Sequence, residues 1–582
     1  MAKFETKVTI PRFSRRFLEG LDRFTRIGDG AIGGKAQGLA VMQDLLADHV
    51  ERERFPGISV HIPRLVVLTT DVFTAFMAQN NLYDIACSDL PDDRIAHAFV
   101  NADLPATMLG DLLSIANSVR IPLAIRSSSL LEDAMYEPFA GVYGTKMIPN
   151  NLPSADARFR KLTEAVKFVY ASTFFKSAKN YIAMTDKDIR DEKMAVIIQE
   201  VVGERRGNRF YPTLAGVARS HNFYPIGHAR AEDGVVDLAL GLGRTIVDGG
   251  RCWSYSPAFP RALPPFNSTA DILKSTQTTF WAVNMGPAPV YDPLRETEYL
   301  VQGDLGEAEY DDTLRHISST YLASSDRLVM GTGPEGPRAI TFAPLLQQRA
   351  IPLNDLVRYL LEMCEARLGS EVEIEFAVNL DRRNAVPASL GFLQVRPMVV
   401  SHDVVDLQPE EMTGEKVLAA STRVLGNGAL SSIEDVVFVR PAGFEARNTP
   451  RIAQEIEAIN RRLTADGKPY LLIGFGRWGS SDPWLGTPVA WDQISGARVI
   501  IEATLPDMNV EMSQGSHFFH NITSFQVFYF SIHHAGEHVI DWDWLERQET
   551  ASASDLVKHV RLAVPLSIKV DGRNGRGVVL HG

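Results

Sequence analysis

Residues 33–47 read Gly-Gly-Lys-Ala-Gln-Gly-Leu-Ala-Val-Met-Gln-Asp-Leu-Leu-Ala. From Ala36 onward apolar residues recur at helical spacing, so the stretch predicts a helix opened by a Gly-Gly-Lys turn. Free amides and the helix dipole at such a start favour an anion. The glycines let backbone approach it closely, and Lys35 adds a mobile ammonium. A second stretch, Ile125-Arg126-Ser127-Ser128-Ser129, closes an apolar run that begins at Pro122. An arginine at a strand end, followed by three hydroxyls, offers a planar donor fork beside further donors. Together the two stretches point to a polyphosphate held between two lobes.

Outward from this pair the pattern alternates short apolar strands with helices. Leu65-Val66-Val67-Leu68 reads as a buried strand, and Thr69, Thr70 and Asp71 are suited to cap a helix over 72–79. Residues 193–202, Lys-Met-Ala-Val-Ile-Ile-Gln-Glu-Val-Val, are apolar enough for a central strand. Further strands are expected at 216–218 and 235–240, the latter ending in Gly241-Leu242-Gly243.

Residues 371–378 alternate acid and apolar, the period of a half-buried strand, and 391–396 read as its hairpin partner through the polar turn 381–384. On that hairpin Glu375 and Gln394 can face the same side. A carboxylate and an amide oxygen are hard ligands suited to Mg²⁺ that shares its shell with phosphates. Arg396 would share the face of Gln394 and suits a phosphate. The same alternation also fits a solvated acidic strand with a polar partner.

A chain of 582 residues is too long for one core, and three to five domains are expected. A net charge of −12 argues against a nucleic-acid surface as the main function. Cys87, Cys252 and Cys364 are too scattered for a disulfide framework or a zinc knuckle. No run approaches the roughly 20 apolar residues of a membrane span, and residues 1–5 lack a signal-peptide core. A cytoplasmic location is expected.

Beyond about residue 405 the texture changes. Residues 406–415 are polar and contain Pro and Gly, and 449–463 read as an amphipathic helix. The segment Gly474-Phe-Gly-Arg-Trp-Gly-Ser-Ser-Asp482 either cradles a phosphate through its amides and Arg477 or is a tight turn pinned by Trp478 and Trp484. Five histidines, His517, His520, His533, His534 and His538, crowd into a short stretch. His517-Phe-Phe-His520 has helical metal-ligand spacing, yet no acid or thiol completes a site and the two phenylalanines read equally as core.

Taken in order, these motifs resemble the nucleotide-binding part of phosphoenolpyruvate synthase and pyruvate phosphate dikinase. The series runs from Gly33-Gly34-Lys35 through Leu68-Thr-Thr-Asp71, Ala124-Ile-Arg-Ser-Ser-Ser129 with Glu132-Asp133, and Phe139-Ala140-Gly141. It continues through Met194 to Gln199, Gly216-Val217 and Gly241-Leu242-Gly243 to Glu373-Ile374-Glu375 and Leu393-Gln-Val-Arg-Pro397.

The resemblance covers about 15–402 and implies an α+β chain with an ATP-grasp module. In that reading 15–205 form the phosphate-binding lobe and 206–402 the lobe with the metal-binding strands. Residues 403–415 form a linker and 416–582 a smaller α/β domain. The cofactors implied are ATP and Mg²⁺. Lys35 and Arg126 would bind phosphates and act in catalysis. Ser127, Gln199, Gly241, Gly243 and Arg396 would line the nucleotide, with the backbone around Gln199 along the adenine. Glu375 and Gln394 would hold the metal.

The chain departs from the family in places. Arg244 follows Gly-Leu-Gly where a glutamate is usual, Val142 stands where a glutamine is usual after Phe-Ala-Gly, and Arg219-Ser-His-Asn222 matches Thr-Arg-Asn-Pro only loosely. The residues after 402 are too few for the family's substrate barrel, which needs roughly 250. Gln514-Gly-Ser-His517 echoes the motif of the family's phosphohistidine domain, so His517 is a candidate phosphoryl carrier, or else a polar residue of an aromatic-rich core. The expected activity is an ATP-dependent phosphotransferase acting on an unidentified acceptor. Homodimerisation or a partner chain stays open. The alternative is a regulatory protein that binds ATP without turnover.

Overall fold

The computed structural model describes residues 10–15, 23–49, 54–130, 141–183, 187–225, 227–262, 268–292, 294–380, 388–398, 400, 405, 407–480, 484–506, 508, 522, 525, 527–538, 540–572 and 574–582. They fold as two compact units. The first comprises residues 1–220, 233–246 and 251–397, and the second comprises 221–232, 247–250 and 398–582. Helices and strands mingle in both, an α+β composition. Among the described residues no helix is long and apolar enough to cross a membrane.

In the first unit, the apolar runs become the centre of a five-stranded sheet. Its order is Phe24–Ile27, Leu65–Leu68, Met194–Glu200, Leu123–Ser129, Thr145–Ile148. The first two strands pair in parallel and the others antiparallel. Leu65–Leu68 is buried along its whole length and Met194–Glu200 nearly so, as their unbroken apolar runs require. Phe73 and Phe76 of one helix and Phe99 of another pack with Tyr170 and Phe174 in one aromatic cluster.

The second sheet has the order Trp253–Tyr255, Val235–Ala239, Leu214–Arg219, Val372–Asn379, Ala388–Pro397, Ile58–His61. The expected hairpin forms with Glu375 opposite Gln394 and Glu373 opposite Arg396. Its turn, 381–384, lies outside the described residues. Helix Gly34–His49 packs on strand Ala388–Pro397 and also contacts Leu123–Ser129, so it touches both sheets. Leu39 and Met42 of that helix join Ile374, Phe376 and Val395 in one core. Strand Thr279–Asn284 lies inside a separate four-stranded sheet.

In the second unit four parallel strands, Asn427–Val439, Tyr470–Phe475, Ala497–Ala503 and Phe528–Ile532, form the centre of a nine-stranded sheet. Helix Thr449–Ala465 makes the crossover between the first two. The polar stretch before this sheet is anchored. Leu407 and Met412 are buried with Ala420 and Val578, Arg576 Nη1 donates to the Leu407 carbonyl (3.1 Å), and Lys569 pairs with Glu411 (2.6 Å).

Candidate functional site

The Gly-Gly-Lys turn is built against the end of strand Leu123–Ser129. Gly33 has φ +78°, and a Cβ there would lie 1.6 Å from the Ser128 carbonyl oxygen, so the turn admits only glycine. The Ser128 hydroxyl donates to the Ile32 carbonyl (2.9 Å) and accepts from the Ala36 amide (3.1 Å). One side chain thereby pins both flanks of the turn. Lys35 Nζ reaches the Ser127 hydroxyl at 3.3 Å. The serine triplet expected as a row of ligand donors therefore also acts as the turn's anchor.

A second clamp comes from the end of strand Leu65–Leu68. Thr69 is the N-cap of helix Thr70–Gln79, but its side chain makes no capping bond. Instead Asp71 accepts the amides of Asp29 (3.0 Å) and Gly30 (2.9 Å), and the Thr70 hydroxyl accepts that of Ala31 (3.0 Å). The residues read as helix caps hold the loop leading into the Gly-Gly-Lys turn. Burial would push the Asp71 carboxyl up, but the Thr69 hydroxyl and the two loop amides outweigh it and hold it below its ordinary value.

A group depressed in this way contributes stability that is complete above its unfolded value, about pH 4, and is lost as pH falls through the folded value. Asp71→Ala should cost about 1–2 kcal/mol of stability and remove that part of the acid dependence. Denaturant titrations at pH 7 and pH 3.5 check both; equal loss at the two pH values would contradict the clamp.

Arg126 stands at the centre of the site. Its Nη1 donates to the Leu393 carbonyl (2.9 Å) and to Gln199 Oε1 (3.4 Å), and its Nη2 donates to Gln394 Oε1 (2.7 Å). The same Nη2 lies 3.6 Å from Glu375 Oε2. One guanidinium thus gathers residues from both sheets. Gln199 is 2% exposed, and its Nε2 is a buried donor with no partner among the described residues. Such an orphan is costly unless something completes it. The Gln199 backbone pairs with Leu65 and Ala124, and the amides of Glu200 and Val201 donate to Arg64 and Pro122. Beside these paired backbone groups, Gln199 offers its side chain to the site.

Glu375 and Gln394, directly paired across the hairpin, present two hard oxygens beside Arg126. That donor set fits a cation that takes its other ligands from phosphate and water. Among the described residues no cluster of three or more His, Cys, Asp or Glu forms an all-protein metal site.

Arg396 takes a carboxylate as partner. Its Nε donates to Glu373 Oε1 (2.8 Å), with Nη2 on the same oxygen. The other Glu373 oxygen accepts Arg219 Nε (2.7 Å), and Arg219 Nη1 donates to Asp237 (3.1 Å). All four side chains are buried, two of each sign, so the network is charge-balanced. It fixes the strand positions two residues from Glu375 and from Gln394. In the sequence Arg219 stands only in a loose match to the family's Thr-Arg-Asn-Pro segment, and nothing there signals its pairing with Glu373 and Asp237.

After strand Val235–Ala239 the Gly241-Leu242-Gly243 loop turns back. The Leu242 amide donates to the Trp281 carbonyl (3.0 Å), and its side chain packs with Ala124, two residues before Arg126. The Gly241–Gly243 loop thus shares a small core with the strand that carries Arg126.

The glycine-rich segment of the second unit resolves to the turn reading. The amides of Gly476, Arg477, Trp478 and Gly479 donate in succession to Ala503 O (3.0 Å), Leu485 O (2.7 Å), Glu502 Oε1 (2.9 Å) and Thr487 O (2.9 Å). Arg477 Nη1 donates to the Gly249 carbonyl (2.6 Å). With these four amides already bonded internally, the described residues 476–479 form no anion nest; Ser481 and Asp482 lie outside the described residues. Trp478 is buried as expected of a pin, whereas Trp484 is 79% exposed. His517 and His520 lie outside the described residues, as do Glu132, Asp133, Phe139 and Ala140.

A family model described as pyruvate phosphate dikinase, AMP/ATP-binding domain, matches residues 29–416 of the 582. Among curated proteins none matches the chain.

Proposed function

The chain belongs to the pyruvate phosphate dikinase AMP/ATP-binding domain family, and from that premise we propose that it is an ATP-dependent phosphotransferase that uses Mg-ATP. The observation that carries this reading is the convergence of Gln199, Glu375 and Gln394, from distant parts of the sequence, around the Arg126 guanidinium with an orphaned donor beside it, while Lys35 reaches the adjacent Ser127. The module is of the two-lobed ATP-grasp type, its lobes meeting near residue 205 and ending near 402.

In this reading Lys35 and Arg126 hold the phosphates, with Ser127 and Gln199 completing the contacts. Gly241 and Gly243 give close backbone approach, and Arg396 steadies the strand of Gln394 through Glu373. Glu375 and Gln394 supply ligands to magnesium, which when bound neutralises charge on the transferring phosphoryl group. Phosphoryl transfer depends mainly on positioning and charge stabilisation, which these residues provide. His517 is the proposed carrier that passes the phosphoryl group to an acceptor. With ATP, a histidine and water as reactants, the products are AMP, inorganic phosphate and a phosphohistidine.

Incubating the full chain with Mg-ATP and separating the nucleotides tests this. The expected result is about one AMP per chain, with an acid-labile, base-stable phosphoprotein absent from His517→Ala. Nucleotide binding with no conversion would instead favour a regulatory ATP sensor. ADP as the product would indicate a simpler kinase, and a label that survives His517→Ala would remove His517 from the pathway.

A further inference from the structure

The second unit holds a charged cluster that the nucleotide reading does not use. It lies where helix Thr449–Ala465 packs against strands Asn427–Val439 and Val557–Asp571. Asp435 and Arg561 are cross-strand partners, and His559 lies two residues from Arg561 on the same face. Asp435 is 2% exposed. Arg561 donates to it from Nε (3.1 Å) and from Nη2 to both oxygens (2.8 and 3.0 Å), and His559 Nε2 lies 2.7 Å from Oδ1. The Arg561 guanidinium is therefore fixed in orientation, while its side chain stays 40% exposed and its Nη1 has no partner among the described residues.

A second guanidinium faces the same ring. Ser552, on the edge strand Thr550–Ala553, is the cross-strand partner of His559, and its hydroxyl accepts from Arg462 Nη2 at 3.1 Å. Burial holds the His559 imidazole below its ordinary value against the pull of Asp435, and the charges of Arg561 and Arg462 add to that. Arg462 is exposed, and this neutral hydroxyl is its one side-chain partner among the described residues. The acids nearby are engaged elsewhere or face away. Glu455 takes Arg451 (3.0 Å) and the Ser554 hydroxyl, and Asp466 lies 3.6 Å from Lys468. Glu549 gives its carbonyl to the Arg561 amide (3.0 Å), and its carboxylate pairs with neither arginine among the described residues.

Two guanidinium charges thus meet one carboxylate, a local positive excess in a chain of net charge −12. An oxyanion would balance it. Each guanidinium offers a planar donor fork, and the Ser552 hydroxyl, having accepted from Arg462, keeps its own hydrogen to donate. Three separate donor groups suit a tetrahedral anion, which has an oxygen for each, better than a planar carboxylate. We propose that Arg462, Arg561 and Ser552 form a second site, one that binds a phosphate group, with Asp435 and His559 holding Arg561 in place. The site lies wholly in the second unit and does not rest on the nucleotide reading.

Hydrogen–deuterium exchange of the full chain with inorganic phosphate, against sodium chloride at equal ionic strength, tests the proposal. Slower exchange is expected in peptides covering residues 549–562. Arg462→Gln should raise the phosphate needed for that effect about tenfold or more, because it removes a charge-assisted bond. The exposed position of Arg462 and its neutral partner mean that this variant keeps the fold. Ser552→Ala should weaken the effect several-fold, and Arg126→Ala should leave it unchanged, which separates this site from the nucleotide site. Glycerol 3-phosphate is the second ligand. A stronger effect than that of inorganic phosphate assigns the site to a phosphorylated small molecule, and a weaker one assigns it to free phosphate; both support the site. No slowing by either ligand, equal slowing by chloride, or an unchanged response in Arg462→Gln would overturn the proposal.

Discussion

Arg126→Ala is expected to weaken Mg-ATP binding at least about 100-fold and to abolish turnover. Two charge-assisted hydrogen bonds from a guanidinium to phosphate are each worth about 1.5–3 kcal/mol, and alanine removes both. It also removes the donor to Gln394 Oε1 and to the Leu393 carbonyl. With Gln394 only 3% exposed, its oxygen loses a buried partner, so stability should fall by about 1–3 kcal/mol as well. Arg126→Lys separates the two effects. It restores the charge without the fork, so it should recover part of the ATP affinity while Gln199, Gln394 and Leu393 cannot all be satisfied at once. Calorimetry with a parallel thermal melt reads both quantities. ATP affinity within threefold of wild type in a folded Arg126→Ala chain would contradict the assignment.

Gly33→Ala should be the most damaging single methyl in the site. The left-handed φ of +78° alone costs a non-glycine residue about 1 kcal/mol. The added Cβ would also sit 1.6 Å from the Ser128 carbonyl oxygen, and that oxygen belongs to a strand paired on both sides. Backbone must shift, so the total cost should reach about 3 kcal/mol or more. The shift breaks the Ser128 bonds to Ile32 and Ala36, and ATP binding should fail with them. Gly57→Ala is the matched control. Its φ is +87°, but nothing lies within 4 Å of the new Cβ, so only the conformational part, about 1 kcal/mol, should appear. Equal destabilisation of the two variants by denaturant titration would show that the Ser128 contact does not hold the turn.

The parts of this site that were legible in the sequence are those with a local signature. The Gly-Gly-Lys turn announces itself by composition and by the helix that follows. The Glu375–Gln394 pairing follows from two alternating strands, because a period of two fixes which residues share a face. Long-range contacts between side chains and backbone leave no such trace. Asp71 reads as a helix cap because acids are favoured there, and only the fold shows that it instead accepts amides from a loop some forty residues earlier.

Arg396 read as a phosphate ligand because arginine next to a candidate metal site suits one. The burial of Glu373 and Arg219 beside it turned it to a structural partner. The segment Gly474–Gly479 shows the converse limit. Glycine-rich composition serves anion nests and tight turns alike, and only an account of where each amide donates tells them apart.

Hydrogen–deuterium exchange of the full chain with and without Mg-ATP tests the location of the nucleotide most directly. Slower exchange is expected in peptides covering residues 31–37, 124–129 and 372–396, with the segment 474–480 unchanged. Protection confined to residues beyond 416, with the Gly33–Lys35 turn and the Arg126 strand exchanging as before, would contradict it.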